Sequence, residues 1–300
     1  MSLRSVTIEI PGTCGEWIQT VRHSRECLVS LPIDEYTEVK VGWASPEVAL
    51  RSYLKLMPKS QSVLALIGKE LALSAKQLAC IAVDISRQLA IGKGMASSTA
   101  DLAGIIKGVS SLMEVCITPE RILSLCCQIE ASDGIMFDRL ALIDHLEGTV
   151  LESFETFLPV DILMLIPNSR YETSQLREES CYLDKLSHKT EIPLTLFKKA
   201  MVEQSLFDLG KASVQSLLEN ELILKNNHLN SLIELSALHD CYGVVGGHSG
   251  TISGLLINDK KTDREALLAQ MKSMPLGGYY TKHKFVKTVR GGIVCTKMED

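Results

Sequence analysis

A chain of 300 residues is long enough for one large domain or two ordinary ones, and it can bury a substantial core without metals or disulfides. Hydrophobic residues make up 46% and charged residues 22% of the chain, and the net charge of -5 argues against a general basic field for nucleic acid or an anionic membrane. No apolar run is long enough to span a bilayer, the N-terminus lacks the apolar core of a signal peptide, and the nine cysteines show no zinc spacing. These features predict a cytoplasmic protein with reduced thiols and without nucleic-acid or membrane partners.

The first half of the chain alternates between β-prone and helical runs. Apolar and β-branched residues predict strands at residues 3–10, 27–33, 36–43 and 79–86. Pro11 and Gly12 are expected to end the first strand. Apolar residues three and four apart predict a helix over residues 60–75. A further helix is predicted over residues 119–131, with Thr118 as its cap.

The second half of the chain is mostly helical. A continuous apolar run at residues 160–166 predicts a buried strand, and the polar stretch 169–191 predicts a loop or lid. Helical patterns occupy residues 193–209, 212–226 and 228–239. Thr262 and Glu265 fit a capping box before one more helix. Two short β runs close the chain, at residues 284–289 and 292–297.

Helices and strands alternate along the chain without a regular βαβ rhythm. This pattern predicts an α+β fold in two subdomains, with a boundary near residues 150–160.

The most informative segment is Ile91-Gly92-Lys93-Gly94-Met95-Ala96-Ser97-Ser98-Thr99-Ala100. Its order is strand, glycine turn, small and hydroxyl residues, then helix, which allows backbone N–H groups to face an anion at a helix N-terminus. Ser97 and Ser98 could add hydroxyl ligands to phosphate or Mg²⁺, and Lys93 could assist there. Glycine and serine helix caps without any ligand would explain the same residues.

Two common nucleotide-binding motifs do not fit this segment. A P-loop requires Gly-Lys-Ser/Thr after four spacer residues, but Gly94 follows Lys93. A Rossmann fingerprint requires glycine where Ser97 stands. The segment therefore predicts a phosphate loop of another kind.

Two further segments complete a pattern of three. Pro11-Gly12-Thr13-Cys14-Gly15-Glu16 follows the first strand, and residues 243–254 (GVVGGHSGTISG) form a late glycine-rich segment. An early Pro-Gly segment, a central Gly-x-x-Ser-Ser-x-Ala loop and a late glycine-rich loop, in this order, resemble the GHMP kinase superfamily. The segments PGTCGE and GKGMASSTAD most resemble its bacterial L-threonine kinase branch. The family usually has proline where this sequence has Ala90.

The resemblance implies a domain organisation and a site. It implies an ATP-binding GHMP domain over residues 1–155, similar to domain 2 of ribosomal protein S5, and a ferredoxin-like GHMP domain over residues 156–300. ATP would lie on residues 91–100, with Mg²⁺ held by Ser98 and Glu130. Asp133 matches the family's catalytic carboxylate beside the substrate hydroxyl, and Asp138 is the alternative.

The substrate side is expected to be formed by one early acid and by the late loop. Glu16 could pair with an ammonium group of the substrate. The late-loop residues expected there are Gly247, His248, Ser249 and Gly250. Each of these could equally be an ordinary turn or strand-end residue.

The resemblance implies ATP-dependent phosphorylation of L-threonine to L-threonine O-3-phosphate, a precursor in cobalamin synthesis. The motif segments favour a small amino-acid partner without phosphate, since residues 11–20 and 243–254 contain no Lys or Arg. Another GHMP activity such as homoserine kinase, or a non-catalytic ligand-binding protein, are the alternatives. The sequence leaves the oligomeric state open.

Overall fold

The computed structural model describes residues 4–168, 189–248 and 250–299. The strands in these residues are β1 (Ser5–Arg22), β2 (Arg25–Trp43), β3 (Ile81–Arg87), β4 (Leu140–Asp144), β5 (Thr149–Phe154), β6 (Asp161–Ile166), β7 (Gly243–Gly246), β8 (Ser253–Leu256), β9 (Lys282–Lys287) and β10 (Val294–Glu299). The helices are α1 (Pro46–Tyr53), α2 (Pro58–Glu70), α3 (Ala75–Leu78), α4 (Ser97–Leu112), α5 (Pro119–Cys127), α6 (Ile192–Glu203), α7 (Leu206–Asn220), α8 (Leu229–Leu238), α9 (Arg264–Ser273) and α10 (Pro275–Tyr279). Of the predicted loop 169–191, only residues 189–191 lie in the described part.

The described strands form one antiparallel sheet, which confirms the predicted α+β class. Its order is β5-β4-β2-β1-β7-β8-β6-β9, with β10 paired to β1 and β3 paired to β2. Glu16 of β1 pairs with Gly246 of β7, so the sheet joins strands from the two ends of the chain. The domain division at residues 155 and 156 falls between β5 and β6 of this sheet and stays a prediction.

The expectation that Pro11 and Gly12 end the first strand is wrong. β1 continues to Arg22 and pairs with β2 over its length. The register shifts between Pro11 and Gly12, between Thr13 and Glu16, and again before Ile18. β-Bulges of this kind absorb a proline and re-aim neighbouring side chains without ending the strand. The two runs 27–33 and 36–43 likewise form the single strand β2.

Several predicted helices differ from the observed ones at their ends. The predicted helix 60–75 is α2 followed by the separate α3, and α5 ends at Cys127 rather than at residue 131. The predicted helix 193–209 is interrupted at Gln204, which has a φ of +52°. Ser205 then caps α7. Asp263, not Thr262, caps α9.

Helix α4 positions the site because it lies very close to the sheet. A Cβ added at Gly104 or Gly108 would come within 2.5 Å of the side chains of Val39 and Val41 in β2. Only glycine allows this approach. The main hydrophobic core includes the buried face of α4 and the inner residues of β1 and β2, so the N-terminus of α4 is held against the sheet.

A second hydrophobic cluster lies in the C-terminal half, between the sheet and helices α7 to α10. Among the helices of the described ranges, none is both long and apolar enough to cross a membrane.

Candidate functional site

The segment before α4 is an irregular turn, and α4 begins at Ser97, as predicted. Gly92, Gly94 and Ala96 have φ values of +70°, +85° and +54°. The backbone therefore turns three times through the left-handed region before the helix starts. The Ala96 side chain offers no capping hydrogen bond, which leaves the first-turn N–H groups of α4 able to bind an anion.

Backbone hydrogen bonds hold this loop from two sides. Thr13 of β1 donates its N–H to the Met95 carbonyl over 3.1 Å. Thr251 and Ile252 donate their N–H groups to the Lys93 carbonyl over 3.1 and 2.9 Å. The early, central and late segments of the sequence pattern therefore meet at one place.

Lys93 is turned toward the protein interior rather than toward a phosphate position. Its Nζ donates to the carbonyls of Pro167 (2.8 Å) and Asn168 (2.9 Å), which follow β6. The residue is 7% exposed. Lys93 therefore fastens the loop to the C-terminal half, which differs from the expectation that it assists at the phosphates.

The late loop lies directly on the phosphate loop. A Cβ on Gly250 would stand 2.5 Å from the Gly94 Cα and 2.7 Å from the Lys93 carbonyl oxygen. Glycine at 250 thus permits the contact between the two loops. A Cβ on Gly247 would stand 3.1 Å from the Gly250 Cα, so glycine at 247 permits the close turn within the late loop. Ser249, also expected on the substrate side, lies outside the described residues.

Ser98 and Glu130, the two residues predicted to hold Mg²⁺, are in contact. The Ser98 hydroxyl donates to Glu130 Oε1, and the Lys59 ammonium contacts Glu130 Oε2. One carboxylate and one hydroxyl suit Mg²⁺, which takes its other ligands from water and phosphate. In the described ranges, no three His, Cys, Asp or Glu side chains converge as a metal site. Ser98 and Glu130 are the residues that could hold a metal ion beside the loop.

Asp133 is oriented by residues from two other elements. The Ser30 hydroxyl of β2 donates to Asp133 Oδ1 over 3.1 Å and accepts the Gly134 N–H over 2.9 Å. The Asp133 N–H donates to the Thr99 hydroxyl over 3.2 Å. The alternative, Asp138, is exposed and makes no hydrogen bond to this cluster. The geometry therefore favours Asp133 as the carboxylate near the loop.

Its surroundings raise the pKa of Asp133 from 3.8 to about 7. The largest cause is burial, which disfavours the charged carboxylate, and the negative charge of Glu16 adds to it. The bond from Ser30 acts in the opposite direction. A carboxyl group with this pKa can accept a proton near neutral pH.

Glu16 is buried and is held by His248. The His248 N–H donates to Glu16 Oε2 over 3.0 Å, and His248 Nδ1 lies 2.9 Å from the same oxygen. His248 Nε2 lies 2.7 Å from the Ser216 hydroxyl of α7, and the Asn220 amide donates to the His248 carbonyl. Both ring nitrogens are therefore engaged, and burial lowers the pKa of the imidazole. Within the described contacts, His248 therefore orients Glu16, and its role on the substrate side stays a prediction.

A buried polar network continues from this pair along β1. The Gln19 N–H donates to the Ser216 hydroxyl over 2.8 Å, and the Gln19 side chain links Lys189 to Glu26. Glu26 in turn lies 3.2 Å from His145 Nε2. Burial lowers the pKa of the Lys189 ammonium to about 8. The network supplies a cation close to two buried acids.

Sequence reasoning missed the residues that support the site. Ser30, Lys59 and Lys189 lie far along the chain from the groups they contact. Lys59 alone left a local signal, because a lysine in the first turn of α2 opposes the helix dipole.

Comparison with known proteins shows which families the chain resembles. Residues 61–141 match the GHMP kinases N terminal domain. The L-threonine kinase of Salmonella typhimurium is 28% identical over 287 residues, covering 95% of this chain and 94% of that protein. The L-threonine kinase of Citrobacter freundii is 26% identical over 294 residues, covering 95% and 98%.

Solved structures share the fold at low sequence identity. A putative homoserine kinase from Listeria monocytogenes matches with a TM-score of 0.67 and 14% identity, over 99% of this chain and 100% of that one. The galactokinase of Lactococcus lactis, complexed with galactose, matches with a TM-score of 0.70 and 12% identity, over 97% and 95%. Mevalonate diphosphate decarboxylase from Staphylococcus aureus matches with a TM-score of 0.71 and 12% identity, over 99% and 98%. The fold is thus that of the GHMP kinases, and the chain resembles this superfamily in its residues 61–141 and, over nearly its whole length, in two L-threonine kinases.

Proposed function

We propose that this GHMP kinase transfers the terminal phosphoryl group of ATP to the hydroxyl of L-threonine. The observation that carries the proposal is the first turn of α4. There Ser98 contacts Glu130, and the next residue, Thr99, contacts Asp133. A carboxylate suited to bind a metal ion and a carboxylate suited to accept a proton from a hydroxyl group are therefore both attached to the start of the helix that follows the loop. A protein that only bound a ligand would not need this second group.

The nucleotide would lie with its phosphates at the N-terminus of α4. The N–H groups that follow Ala96 would donate to phosphate oxygens, assisted by the helix dipole. Ser98 and Glu130 would hold Mg²⁺, which would neutralise charge on the terminal phosphates. Contact with the late loop at Gly250 keeps the phosphate loop in one conformation. Most of the rate gain would come from this positioning and charge stabilisation.

Asp133 would act on the attacking hydroxyl. The bond between the terminal phosphorus and its bridging oxygen breaks, a bond from the threonine oxygen forms, and ADP leaves. The hydroxyl proton passes to the Asp133 carboxylate and then to water. Ser30 keeps the carboxylate in place through Oδ1.

Glu16 would receive the substrate ammonium. Both of its bonds with His248 use Oε2, so Oε1 is the oxygen left for a ligand among the described contacts. An ammonium at this position would offset the repulsion between Glu16 and Asp133. A small α-amino acid fits such a pocket better than a neutral sugar does.

The choice of L-threonine is supported by the names of the two curated relatives. Entry of the product into cobalamin synthesis rests on the sequence resemblance, and a cytoplasmic location rests on the composition and cysteine pattern; both are part of the proposal.

The direct test is ADP production with MgATP and each amino acid at matched concentration. L-Threonine should give the highest kcat/KM, and its methyl group should be worth about 1–3 kcal/mol over L-serine if a small apolar pocket receives it. L-Homoserine places its hydroxyl one carbon further out and should react more slowly. A higher kcat/KM for homoserine would refute the substrate and keep the kinase. No stimulation by any hydroxyl compound would favour a binding protein.

A further inference from the structure

A lysine that lies outside the three motif segments contacts the carboxylate of the proposed metal site. Lys59 is the second residue of α2, and its ammonium contacts Glu130 Oε2 while Ser98 occupies Oε1. The Lys59 side chain is 55% exposed, whereas that of Glu130 is 17% exposed. The ammonium therefore reaches from the surface to the half-buried carboxylate at the phosphate loop.

The position of Lys59 on its helix is unfavourable without a partner. A cation in the first turn opposes the helix dipole, and the first turn of α2 contains no acid that would neutralise it. Helix α2 packs against α4 and α5, and the contact of Lys59 with Glu130 places the N-terminal end of α2 beside a residue that follows α5. Glu130 compensates for the ammonium in this structure.

Binding of Mg²⁺ to Glu130 would weaken the contact between Lys59 and Glu130. A divalent cation and an ammonium on one carboxylate repel each other at short range. The phosphates that arrive with the metal offer the ammonium new anionic partners, and the flexible lysine stem allows it to move to them.

We propose that Lys59 is a phosphate-contacting residue of the kinase site, whose ammonium neutralises Glu130 in the free protein and moves to the nucleotide phosphates when the metal binds. This inference rests on the proposed function and adds a residue to its nucleotide site. It gives Lys59 the role of a cation that contacts phosphate. The Lys93 ammonium does not fill this role in the structure, since it donates to the carbonyls after β6.

Calorimetric binding of ATP to the full chain, with excess Mg²⁺ and without any amino acid, tests the assignment. Lys59→Met should weaken MgATP binding roughly 10- to 100-fold, the usual effect of losing one charge-assisted contact. Lys59→Arg should recover part of the affinity. Lys69→Met, at the exposed far end of the same helix, should bind MgATP like the wild type.

A second pair of variants separates a phosphate contact from a structural ion pair. If Lys59 contacts phosphate, Lys59→Met should still weaken MgATP binding in a Glu130→Gln background. If Lys59 serves only to neutralise Glu130, Lys59→Met alone should bind MgATP as tightly as the wild type or more tightly. In the Glu130→Gln background, Lys59→Met should then have no effect on MgATP binding. Either result overturns the inference while the proposed function stands. A wild-type chain that binds no MgATP overturns both.

Discussion

Among single residues, Asp133 is expected to affect catalysis most. We expect Asp133→Asn to lower kcat by at least about 100-fold, because the variant keeps the shape but cannot accept the hydroxyl proton. ATP binding should change little, since the proposal places Asp133 at the substrate hydroxyl and not at the nucleotide. Ser30 and Thr99 hold Asp133 in that position. Steady-state kinetics with a separate ATP-binding measurement checks both. Near-wild-type kcat in this variant, with an inactive Asp138→Asn, would move the role to Asp138.

The same substitution has a second, pH-dependent consequence. The folded-state pKa of Asp133 is about 7 against an ordinary 3.8, so the folded protein binds more protons than the unfolded chain between these values. Wild-type stability therefore declines as pH rises toward 7, and the Asn variant lacks this decline. The Tm of Asp133→Asn minus that of the wild type should increase from about pH 5 to about pH 8. A constant difference would contradict the raised pKa.

The Ser98→Ala variant tests the proposed Mg²⁺ site. Ser98→Ala removes the hydroxyl that contacts Glu130, and we expect kcat/KM to fall about 10- to 1000-fold. The fold should survive, because a methyl-sized group fills the same space. Full activity of this variant at limiting Mg²⁺ would exclude Ser98 from the site.

Among contacts between elements, the one between the late loop and the phosphate loop is expected to matter most for MgATP binding and for kcat/KM. Gly250→Ala would place a methyl group 2.5 Å from the Gly94 Cα, so one of the two loops must move. We expect weaker MgATP binding and a much lower kcat/KM. Gly278→Ala is the matched control, since its added Cβ meets nothing within 4 Å and the residue lies in a helix. Equal activity of the two variants would show that the loops work independently.

The sequence predicted the elements whose signals are local. The glycine turn before Ser97, the Thr118 cap and the apolar run of β6 were all recognisable from composition and spacing. The bulges after Pro11 were not, because a strand can continue through proline only if its partner strand accommodates it, and that partner is not visible locally. Strands β4 and β5 and helix α1 were also missed, since each is short and lacks a distinct periodic pattern.

The site was predictable where its residues share a motif. Ser98 and Asp133 could be proposed from the sequence because each lies in or near a recognisable segment. The buried environment of His248 was not predictable, because its partner Glu16 is 232 residues away. Long-range pairs of this kind determine whether a polar loop residue faces solvent or the interior.

At the scale of the whole molecule, buried thiols should control stability in alkali. Burial raises the pKa values of Cys27, Cys127 and Cys241 from 9.0 to about 11, and it raises those of Cys14 and Cys126 as well. The unfolded chain therefore loses these protons first, and stability falls as pH rises above 9.

Lys189 changes the pH dependence of stability in the opposite direction. The pKa of Lys189 is lowered to about 8, so its contribution to stability increases between about 8 and 10.5, but it is one group against five thiols. Urea unfolding under reducing conditions at several pH values should show a falling midpoint above pH 9. Cys241→Ala should make the decline shallower, while the exposed Cys295→Ala should leave it unchanged. A midpoint that does not fall with pH would contradict the burial of these thiols.

The central claim is phosphoryl transfer from ATP to a threonine hydroxyl at the N-terminus of α4. Phosphorus NMR of wild-type protein with MgATP and L-threonine tests it most directly, because it identifies the product as well as ADP. L-Threonine O-3-phosphate and ADP should appear in equal amounts, and Asp133→Asn should form neither at a comparable rate. ADP accompanied by inorganic phosphate alone, or threonine phosphate formed equally well by Asp133→Asn, would contradict it.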